Sequence, residues 1–334
     1  MTSGTPLNWG VVSTARINDN VLPEIRASDR ANLLAVASRA PQRASDYAER
    51  AGIPRSYGSY DELFADPDVD CVYISLPNRL HAPVAARALR AGKHVLCEKP
   101  LAVSADEGER LFEVAARSER VLMEAFMYRH HDKTLRLAEL IAAGRLGDIE
   151  TIRSWFHFRA EDPGSDIRFR ADLAGGALRD IGCYCTSATL FLIGAAPIGV
   201  AAVARLSDGG VDASFAGALR FPSGATAVFD CNMRAPVGLG LMVVGSAATA
   251  RVQTPWYPHL APAVIEVRGP DGAQDIVVSA DNPYRLEIEH FCDVVAGAAT
   301  PRIAGPETHR NLAVMDDLAR AAQLPCYVVD PGEL

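Results

Sequence analysis

The sequence predicts an α/β protein in two parts, an N-terminal doubly wound parallel sheet and a C-terminal α+β domain with a large, mostly antiparallel open sheet. From Asn8 to about Ala142, short β-branched runs alternate with amphipathic segments of helical length, which is typical of a parallel sheet covered on both faces. After Asp148, strand-like runs follow one another across turns that contain Gly, Pro or Asp. Two helical segments then close the chain.

Apolar runs mark the strands of the first part. In chain order they are Trp9–Val12, Leu33–Ala37, Cys71–Ser75, His94–Cys97 and Val121–Ala125. The helical patterns between them are Gln42–Arg50, Ala82–Ala91 and Asp106–Ala116. Gly52 and Gly92 stand where glycine commonly ends a helix. Since strand–helix–strand units cross over with one hand, these repeats predict a single parallel sheet, which we assign to a dinucleotide-binding domain over residues 1–125.

The second part, residues 126–334, is predicted to form the substrate-binding and oligomerisation domain. Its predicted strands are Ile149–Arg159, Ile198–Arg205, Val211–Phe221, Ala225–Met233, Gly240–Val244, Arg251–Thr254 and Val264–Arg268. The closing helices are Tyr284–Ala296 and Pro306–Ala322, and the last one is a candidate to pack back on the first domain. The uncharged stretch Thr186–Ala204 is nearly long enough to span a bilayer, but Gly194 and Pro197 divide it into a helix and a strand.

Composition narrows the class of protein. The chain has 334 residues, enough for two domains, and its 49% hydrophobic and 22% charged residues are ordinary for a globular protein. A net charge of −8 disfavours a nucleic-acid partner, because binding phosphates needs a basic surface. Seven scattered cysteines without a CxxC pair predict buried thiols rather than disulfides or a metal site. The start of the chain lacks the layout of a signal peptide, so we expect a soluble cytoplasmic protein that makes no contact with a membrane.

The first strand–helix junction carries candidate phosphate-binding residues. A dinucleotide-binding Rossmann fold needs small residues here so that backbone amides approach the pyrophosphate. Against the pattern G-x-G-x-x-G, the chain offers Gly10, then Val12, then Ala15, and Ser13 adds a hydroxyl with little bulk. A plain tight turn is the alternative. The candidate residues are Gly10, Ser13, Thr14, Ala15, Arg16 and Ile17.

The end of the second strand indicates which dinucleotide binds. An acid at this place would bind the ribose 2′-hydroxyl of NAD, whereas this chain has Ser38 and Arg39, with Arg43 one helical turn on. A guanidinium pairs with the 2′-phosphate of NADP, and no nearby carboxylate repels it. The residues predict NADP, with NAD as the alternative cofactor and solvated surface arginines as the alternative interpretation.

Two later junctions point at the same crevice, because ligands of open parallel sheets lie beyond the carboxyl ends of the strands. One junction contains Leu76, Pro77, Asn78 and His81, and the other runs Glu98-Lys99-Pro100. A lysine held directly after a buried strand is costly unless it has a partner or a role. These residues are further cofactor-binding candidates, and the alternative for Lys99 is a surface lysine on a turn.

The segment from Ala174 to Tyr184 supplies candidates for proton transfer. If a helix starts near Ala177, Asp180 and Tyr184 are four residues apart and share one face. The paired glycines Gly175 and Gly176 suit a loop pressed against a ligand. Carbonyl reduction needs a proton donor, and a lysine beside a tyrosine would favour the phenolate and lower the tyrosine pKa. The alternative for Tyr184 is an ordinary core tyrosine.

These motifs together resemble the glucose–fructose oxidoreductase / inositol dehydrogenase superfamily over essentially the whole chain. The resemblance rests on Gly10-x-x-Ser13-x-Ala15, Pro77-Asn78-x-x-His81, Glu98-Lys99-Pro100 and Gly175-Gly176-x-x-x-Asp180-x-Gly182-x-Tyr184. Glu124–Arg129 and Ala174–Cys185 are most similar to the dihydrodiol dehydrogenase and NADP-dependent xylose dehydrogenase branch, and to sugar ketoreductases. Many superfamily members have His where this chain has Tyr184.

The resemblance implies roles for particular residues. Lys99 lies in the active site, Tyr184 acts as acid/base, and Asp180 orients groups or contacts substrate. Arg170 matches a family arginine placed shortly before the paired glycines, and Arg129 is a further candidate to approach the substrate. The predicted substrate-binding set is Arg129, Arg170, Asp180 and Tyr184, and no metal is predicted.

The predicted function is an NADP-dependent oxidoreductase that interconverts a secondary alcohol and a ketone on a sugar, nucleotide-sugar or cyclic polyol. Oxidation of an arene dihydrodiol is the alternative of the same class, and a non-catalytic NADP-binding sensor is the alternative of a different class. The resemblance also implies a homodimer or homotetramer formed through the C-terminal sheet.

Overall fold

The chain folds around two sheets, and the computed structural model describes residues 5–160, 164–257, 264–270, 272–325 and 327. The first sheet has six parallel strands, β1 (Leu7–Val12), β2 (Ala31–Ala37), β3 (Arg55–Tyr57), β4 (Cys71–Ile74), β5 (His94–Glu98) and β6 (Leu122–Ala125). Their order is β3-β2-β1-β4-β5-β6, so the winding reverses between β1 and β4. This reversal opens a crevice at the carboxyl ends of those two strands.

Helices cover both faces of the parallel sheet. They are α1 (Asn18–Ala27), α2 (Pro41–Ala51), α3 (Tyr60–Ala65), α4 (His81–Arg90) and α5 (Ala105–Arg117). Every residue of β4 is buried, as expected for a strand enclosed on both sides. Two helices begin at a serine cap: Ser59 accepts a hydrogen bond from the Glu62 N–H and Ser104 from the Glu107 N–H.

The second sheet has eight strands and begins at Ile149. They are β7 (Ile149–Arg159), β8 (Gly199–Leu206), β9 (Asp212–Arg220), β10 (Thr226–Asn232), β11 (Arg234–Gly245), β12 (Thr249–Gln253), β13 (Val264–Gly269) and β14 (Gly272–Val277). All neighbouring pairs are antiparallel except β7 and β10. Burial alternates along β9 and β10, so one face of the sheet is covered and the other is open.

Four more helices complete the described chain: α6 (Asp132–Ala142), α7 (Cys183–Ile193), α8 (Pro283–Val295) and α9 (Gly305–Ala321). Helix α7 packs on β7 and β10. Helix α9 packs against α5 of the first part, where the Ala105 N–H donates to Asp316 at 2.9 Å. A Cβ on Gly108 would lie 2.6 Å from Leu312, so α5 and α9 approach closely at this glycine.

The predicted fold class is confirmed, and the differences are local. Strand β3 and strand β14 were not predicted, because β3 has three residues and β14 lacks an alternating apolar pattern. The helix predicted near Ala177 begins instead as a π-helical turn over Leu178–Gly182. The stretch Thr186–Ala204 divides as expected, with α7 ending at Ile193 and β8 beginning at Gly199.

Two further features bear on the predicted class of protein. Within the described ranges, no helix is both long and apolar enough to cross a bilayer. The cysteines in those ranges are buried thiols, namely Cys71, Cys97, Cys183, Cys185, Cys231 and Cys292. Cys326 lies outside the described residues.

Candidate active site

A crevice of about 750 Å³ lies at the carboxyl edge of the parallel sheet, and residues of both sheets line it. The turn after β1 contributes Ala15, Arg16 and Ile17. The junctions after β4 and β5 contribute Leu76, Pro77, Asn78, His81, Glu98 and Lys99. Asp180 and Tyr184 face them from the second part of the chain. The structure therefore brings together most of the residues that the sequence singled out.

The turn after β1 is built on Ser13, which has a φ of +107°. This conformation is one that glycine adopts readily and serine rarely does. The Ser13 hydroxyl donates to the Ser75 carbonyl at 2.7 Å, and Asn18 donates to the Ser13 carbonyl at 3.0 Å. The Ser75 hydroxyl in turn donates to Asn18 Oδ1 at 2.7 Å. Side-chain hydrogen bonds thus hold a turn that is usually shaped by glycines.

The placement of Gly10 corrects the sequence prediction. Gly10 lies inside β1, and a Cβ added to it would lie 3.0 Å from Leu63, so its smallness serves packing against α3. The three positions of the G-x-G-x-x-G spacing fall on Ser13, Ala15 and Asn18, where the turn and the start of α1 are found. The prediction aligned the pattern three residues too early because it gave most weight to the one glycine present.

The turn fits the pyrophosphate of a dinucleotide. Among the described residues no side chain caps the start of α1, and the N–H groups of its first residues, Asn18, Asp19 and Asn20, donate to the carbonyls of the turn itself. Ala15, Arg16 and Ile17 line the crevice directly beside it. Small side chains, an uncapped helix start and an adjacent arginine form a suitable cradle for phosphates.

The candidate 2′-phosphate residues lie at the end of β2, on the same edge of the sheet. Arg39 and Arg43 are exposed, and Ser38 is buried with its N–H donating to the Tyr57 carbonyl at 3.1 Å. Both arginines lie near Tyr60, whose pKa burial raises and the guanidinium of Arg39 lowers in part. Two exposed cations thus stand beside the sheet edge, outside the lining of the main crevice.

The junctions after β4 and β5 are joined by His81. Its Nδ1 lies 2.8 Å from the Pro100 carbonyl and its Nε2 lies 2.6 Å from the Leu76 carbonyl. Burial lowers the pKa of His81 to about 4, so the ring is neutral near pH 7 and donates to one of the two oxygens. Asn78 donates to the Ala174 carbonyl at 2.8 Å and thereby connects this wall to the loop before the π-helical turn.

Lys99, Asp180 and Arg168 form an array of alternating charge, in which Lys99 and Asp180 are largely buried and Arg168 is exposed on its outer side. Lys99 Nζ donates to the Asp180 carbonyl at 2.8 Å and lies 3.4 Å from its Oδ1, while Arg168 Nε lies 3.0 Å from its Oδ2. Burial would raise the pKa of Asp180, but the two cations lower it below its usual range. Burial would lower the pKa of Lys99, but Asp180 outweighs that effect and raises it. All three groups are therefore ionised near neutral pH.

The π-helical turn over Leu178–Gly182 presents Asp180 to this array. Such wide turns commonly occur at functional sites. The two glycines before it are pressed against the chain itself: a Cβ on Gly175 would lie 2.3 Å from the Arg168 carbonyl oxygen, and one on Gly176 would lie 2.1 Å from Asp212 Oδ1. The sequence predicted that these glycines let the loop approach a ligand. The structure shows that they also let the loop pack closely against the Arg168 carbonyl and Asp212.

Tyr184 lines the crevice and also belongs to an aromatic cluster. Lys99 Nζ lies 5.1 Å from the centre of its ring, and its hydroxyl lies 3.8 Å from Met127 Sδ. We expected Lys99 to lower the pKa of Tyr184, but burial raises that pKa well above its usual value. The cation lies over the face of the ring rather than beside the oxygen, which explains the difference. Tyr184 is consequently a protonated phenol near neutral pH.

Two arginines predicted to bind substrate lie elsewhere. Arg170 is exposed and donates to Asp172 at 3.0 Å, whereas Arg168, two residues earlier, lies in the crevice. Arg129 is buried, pairs with Glu307 and lies 3.6 Å from the centre of the Phe191 ring. Neither Arg170 nor Arg129 lines the crevice, whereas Arg168 does, so substrate contact by Arg170 and Arg129 stays a prediction and Arg168 is an additional candidate.

The sheet side of the crevice is aromatic. Phe156 and Phe158 of β7 line it together with Tyr257, and Arg168 lies 5.3 Å from the centre of the Phe158 ring. In the sequence, β7 is predicted only as a strand, and the aromatic residues at its alternate positions Phe156 and Phe158 were a signal for a lined face. Tyr257 lies shortly after β12, and the neighbouring His259 lies outside the described residues.

Comparison with known proteins bears on the identity of the chain. Residues 7–126 match the family described as "Oxidoreductase family, NAD-binding Rossmann fold", and residues 134–251 match the one described as "GFO/IDH/MocA C-terminal domain". D-xylose 1-dehydrogenase (NADP(+)) 2 of Haloferax volcanii is 37% identical over 319 residues, which cover 94% of this chain and 97% of the relative. Trans-1,2-dihydrobenzene-1,2-diol dehydrogenase of Mus musculus is 36% identical over 259 residues, or 75% of this chain and 76% of that one.

A solved structure matches almost the whole chain. It is KijD10, a 3-ketoreductase from Actinomadura kijaniata in complex with NADP and TDP-benzene, with a TM-score of 0.89 and 33% identity, covering 95% of this chain and 98% of that chain. Variants of KijD10 that replace a tyrosine by phenylalanine, or a lysine by alanine or glutamate, have been solved with the same ligands.

Proposed function

The chain belongs to the GFO/IDH/MocA oxidoreductase family, and from this premise we propose that it is an NADP-dependent enzyme interconverting a secondary alcohol and a ketone on a sugar or nucleotide-sugar. It is an oxidoreductase of a family whose named members act on sugars and nucleotide-sugars with nicotinamide cofactors.

The observation that carries the proposal is the array Lys99–Asp180–Arg168 beside the Tyr184 phenol. This array faces the turn after β1, which contains the candidate phosphate-binding residues 13–17, across one crevice. Three ionised groups and one neutral proton donor in a partly dehydrated site suit a reaction in which negative charge develops on an oxygen.

In ketone reduction, the chain's residues handle the oxygen and its proton. When bound, NADPH supplies the hydride that adds to the carbonyl carbon. The Lys99 ammonium and the Arg168 guanidinium stabilise the charge that develops on the oxygen, and the Tyr184 hydroxyl gives that oxygen its proton. Asp180 holds both cations in place. In the oxidation direction, Tyr184 first gives up its own proton to solvent, and the phenolate oxygen then receives the proton of the alcohol.

The proposed NADP preference rests on the cations at the end of β2. Arg39 and Arg43 are the residues that would bind the 2′-phosphate, and Ser13, Thr14, Ala15, Arg16 and Ile17 would hold the pyrophosphate. The relatives support this assignment, since the xylose dehydrogenase is named for NADP(+) and KijD10 was solved with NADP. NAD is the alternative.

Oxidation of an arene dihydrodiol is the second candidate function. The aromatic wall of Phe156, Phe158 and Tyr257 favours it, because a flat hydrocarbon ring packs well on such side chains. The charged groups opposite favour a polyhydroxylated ring, which offers more hydrogen-bonding partners. A nucleotide-sugar would pack its base on the aromatic wall and hydrogen-bond its sugar to the charged groups opposite. Its fit to both walls favours the first candidate.

The division of the chain and its assembly are also part of the proposal. We assign residues 1–125 to cofactor binding and residues 126–334 to substrate binding and oligomerisation. The open face of the second sheet exposes Val203 and Val228, which supports pairing with a second copy in a homodimer or homotetramer. Light scattering of the purified protein measures this, and a monomer at every concentration contradicts it.

The proposed function is tested with purified protein and a substrate panel. We expect NADPH oxidation with keto-sugars or nucleotide keto-sugars, and weaker NADP⁺ reduction with trans-dihydrobenzenediol. The reverse ranking would favour the diol candidate. Tight NADPH binding without turnover on any substrate would leave a non-catalytic sensor as the better interpretation.

A further inference from the structure

We propose that Asp212 is a positioning residue of the active site, whose carboxylate holds the π-helical turn in the shape that presents Asp180 to Lys99. The proposal rests on the proposed function, because it assigns Asp212 an effect on turnover. Asp212 is the first residue of β9 and does not line the crevice, so it acts through the turn rather than on substrate.

The carboxylate lies against the start of the turn. Its Oδ2 accepts a hydrogen bond from the Leu178 N–H at 2.7 Å, and the Ala177 N–H is a second backbone donor to it. The N-cap residue of the turn, Ala177, supplies no side-chain cap of its own. A carboxylate from another strand therefore performs the capping that Ser or Asp usually provides locally.

The fit around this carboxylate is tight. Gly176 has a φ of +117°, and a Cβ on it would lie 2.1 Å from Asp212 Oδ1. Only glycine allows the chain to pass so close to the carboxylate. Asp212 is 3% exposed, so water does not replace its hydrogen bonds. The carboxylate and the start of the turn consequently fix one another.

Two residues further on, Asp180 of the turn supplies two hydrogen-bond acceptors to Lys99. Lys99 reaches the Asp180 carbonyl at 2.8 Å and the Asp180 carboxylate at 3.4 Å. If the Ala177–Leu178 end of the turn relaxes, both contacts shift together. Displacement of about 1 Å in such an array commonly lowers a rate by about 100-fold.

The ionisation of Asp212 decides how many amides it accepts. A carboxylate accepts from both N–H groups, whereas a protonated carboxyl loses acceptor capacity on one oxygen. The groups that face it are the cationic Arg179 of the turn, the Cys231 thiol of β10 and the Tyr327 hydroxyl after α9. Burial raises the pKa of both Cys231 and Tyr327, so these two stay neutral, while burial raises the pKa of Asp212 to about 7.

The first test compares Asp212→Asn with the wild type and with Asp208→Asn, an exposed turn residue just before β9, as control. For Asp212→Asn we expect kcat to fall about 10- to 100-fold at pH 8 while the Kd for NADPH changes less than about twofold. We expect the wild type to lose kcat below about pH 7, and Asp212→Asn to lack this loss. An acid limb that persists at the same midpoint, an unchanged kcat, or a loss confined to NADPH binding would overturn the proposal.

The second test uses only the wild type and needs no substrate. Hydrogen exchange of the peptide spanning residues 176–182 is measured at about pH 6 and pH 8 and corrected for intrinsic rates. We expect greater protection at the higher pH, where Asp212 is ionised, when this peptide is compared with peptides of the buried strand β4 that report the change in global stability. Equal or lower protection would overturn the role of Asp212 even if Asp212→Asn fails to fold. Since this readout does not involve turnover, its failure is distinguishable from failure of the proposed enzyme function.

Discussion

Charge at the site is arranged so that a neutral phenol stands beside fixed cations. Lys99 and Arg168 keep Asp180 ionised, while burial keeps Tyr184 protonated. A phenol with a raised pKa is a weak acid. It is, however, fully protonated across the neutral pH range and can therefore donate its proton. The cations must therefore supply the driving force by stabilising the oxygen that receives the proton.

Replacing Tyr184 by Phe removes the proton donor and keeps the ring. The ring packs against Phe126 at 5.3 Å and Phe156 at 5.5 Å between centroids, so we expect the fold to persist. The rate of ketone reduction should fall by about 10²- to 10⁴-fold with NADPH binding retained. Steady-state kinetics and a binding titration measure both quantities. An unchanged rate would move the proton-donor role to a water or to another group.

Arg168 and Arg170 are exposed arginines that each pair with an aspartate, but only Arg168 pairs with Asp180, so Arg170 serves as the control for Arg168. Arg168→Ala removes the cation 3.0 Å from Asp180 Oδ2, whereas Arg170→Ala removes an exposed guanidinium paired with Asp172. We expect kcat/KM to fall about 10- to 100-fold for Arg168→Ala and less than about twofold for Arg170→Ala. Equal losses in the two variants would show that the crevice extends to Arg170 when substrate binds.

Cofactor preference should depend on Arg39. Arg39→Asp replaces a cation at the end of β2 with a charge that repels the 2′-phosphate, so the ratio of kcat/KM for NADP to that for NAD should fall by about 10- to 100-fold. Arg50→Asp at the far end of α2 controls for the change in net charge. An unaltered ratio for Arg39→Asp would show that the 2′-phosphate binds elsewhere.

Among the elements, the turn after β1 combines strain with side-chain hydrogen bonds. Ser13→Gly and Ser13→Ala both delete the hydroxyl that donates to Ser75, but only glycine relieves the φ of +107°. At an ordinary position, alanine is the more stabilising residue by about 0.5–1 kcal/mol. Here we expect Ser13→Gly to be more stable than Ser13→Ala by about 1 kcal/mol. Urea unfolding of both variants measures the difference, and the opposite order would mean that this backbone is unstrained.

The elements also show what a sequence can and cannot predict. The parallel sheet was predictable because its strands are buried runs separated by amphipathic helices, a pattern that local periodicity records. The phosphate turn was misaligned because Ser13 takes a glycine conformation through bonds to Ser75, which lies 62 positions away. The residues that neighbour Ser13 in the sequence do not indicate its positive φ or its hydrogen bond to Ser75.

The π-helical turn and the choice of Arg168 escaped prediction for a similar reason. The turn depends on Asp212, 34 positions beyond Leu178, and on Lys99, 81 positions before Asp180. Arg168 and Arg170 flank Phe169, the last residue of a short 3₁₀ turn over Ile167–Phe169, and the tertiary structure decides which side chain enters the crevice. The residue types in the sequence indicated the proton-transfer chemistry of the site. Which of those side chains lies in the crevice depends on long-range packing.

At the scale of the whole molecule, buried carboxyls connect stability to pH. Glu124 accepts from the Leu101 N–H and from the Thr308 hydroxyl, each at 2.9 Å, and so joins the loop after Lys99 to α9. Burial raises the pKa of Glu124 to about 7, as it does for Asp212. A carboxyl with a raised pKa contributes stability that is present below its unfolded value and is lost as the pH rises through its folded value.

We therefore expect the free energy of unfolding to decrease by about 1–2 kcal/mol from pH 6.5 to pH 8. Burial lowers the pKa of His81 to about 4, so buried histidines of this kind change the free energy of unfolding only below pH 6.5. Glu124→Gln should reduce the decrease by about half, which urea unfolding at both pH values measures. A wild type whose stability rises over this interval would contradict the prediction. Activity that depends on ionised Asp212 would increase over the same interval, so stability and turnover should change in opposite directions.

The aromatic cluster behind the crevice gives the protein an internal optical reporter. Trp256 is buried, stacks on Phe156 at 6.3 Å and lies 5.8 Å from the Tyr184 ring, so its indole is only one side chain removed from the site. Reduced nicotinamide absorbs light where tryptophan emits, and binding in the crevice should quench Trp256 by energy transfer. Intrinsic fluorescence then reports cofactor occupancy in every variant described above, without a label and before any substrate is known.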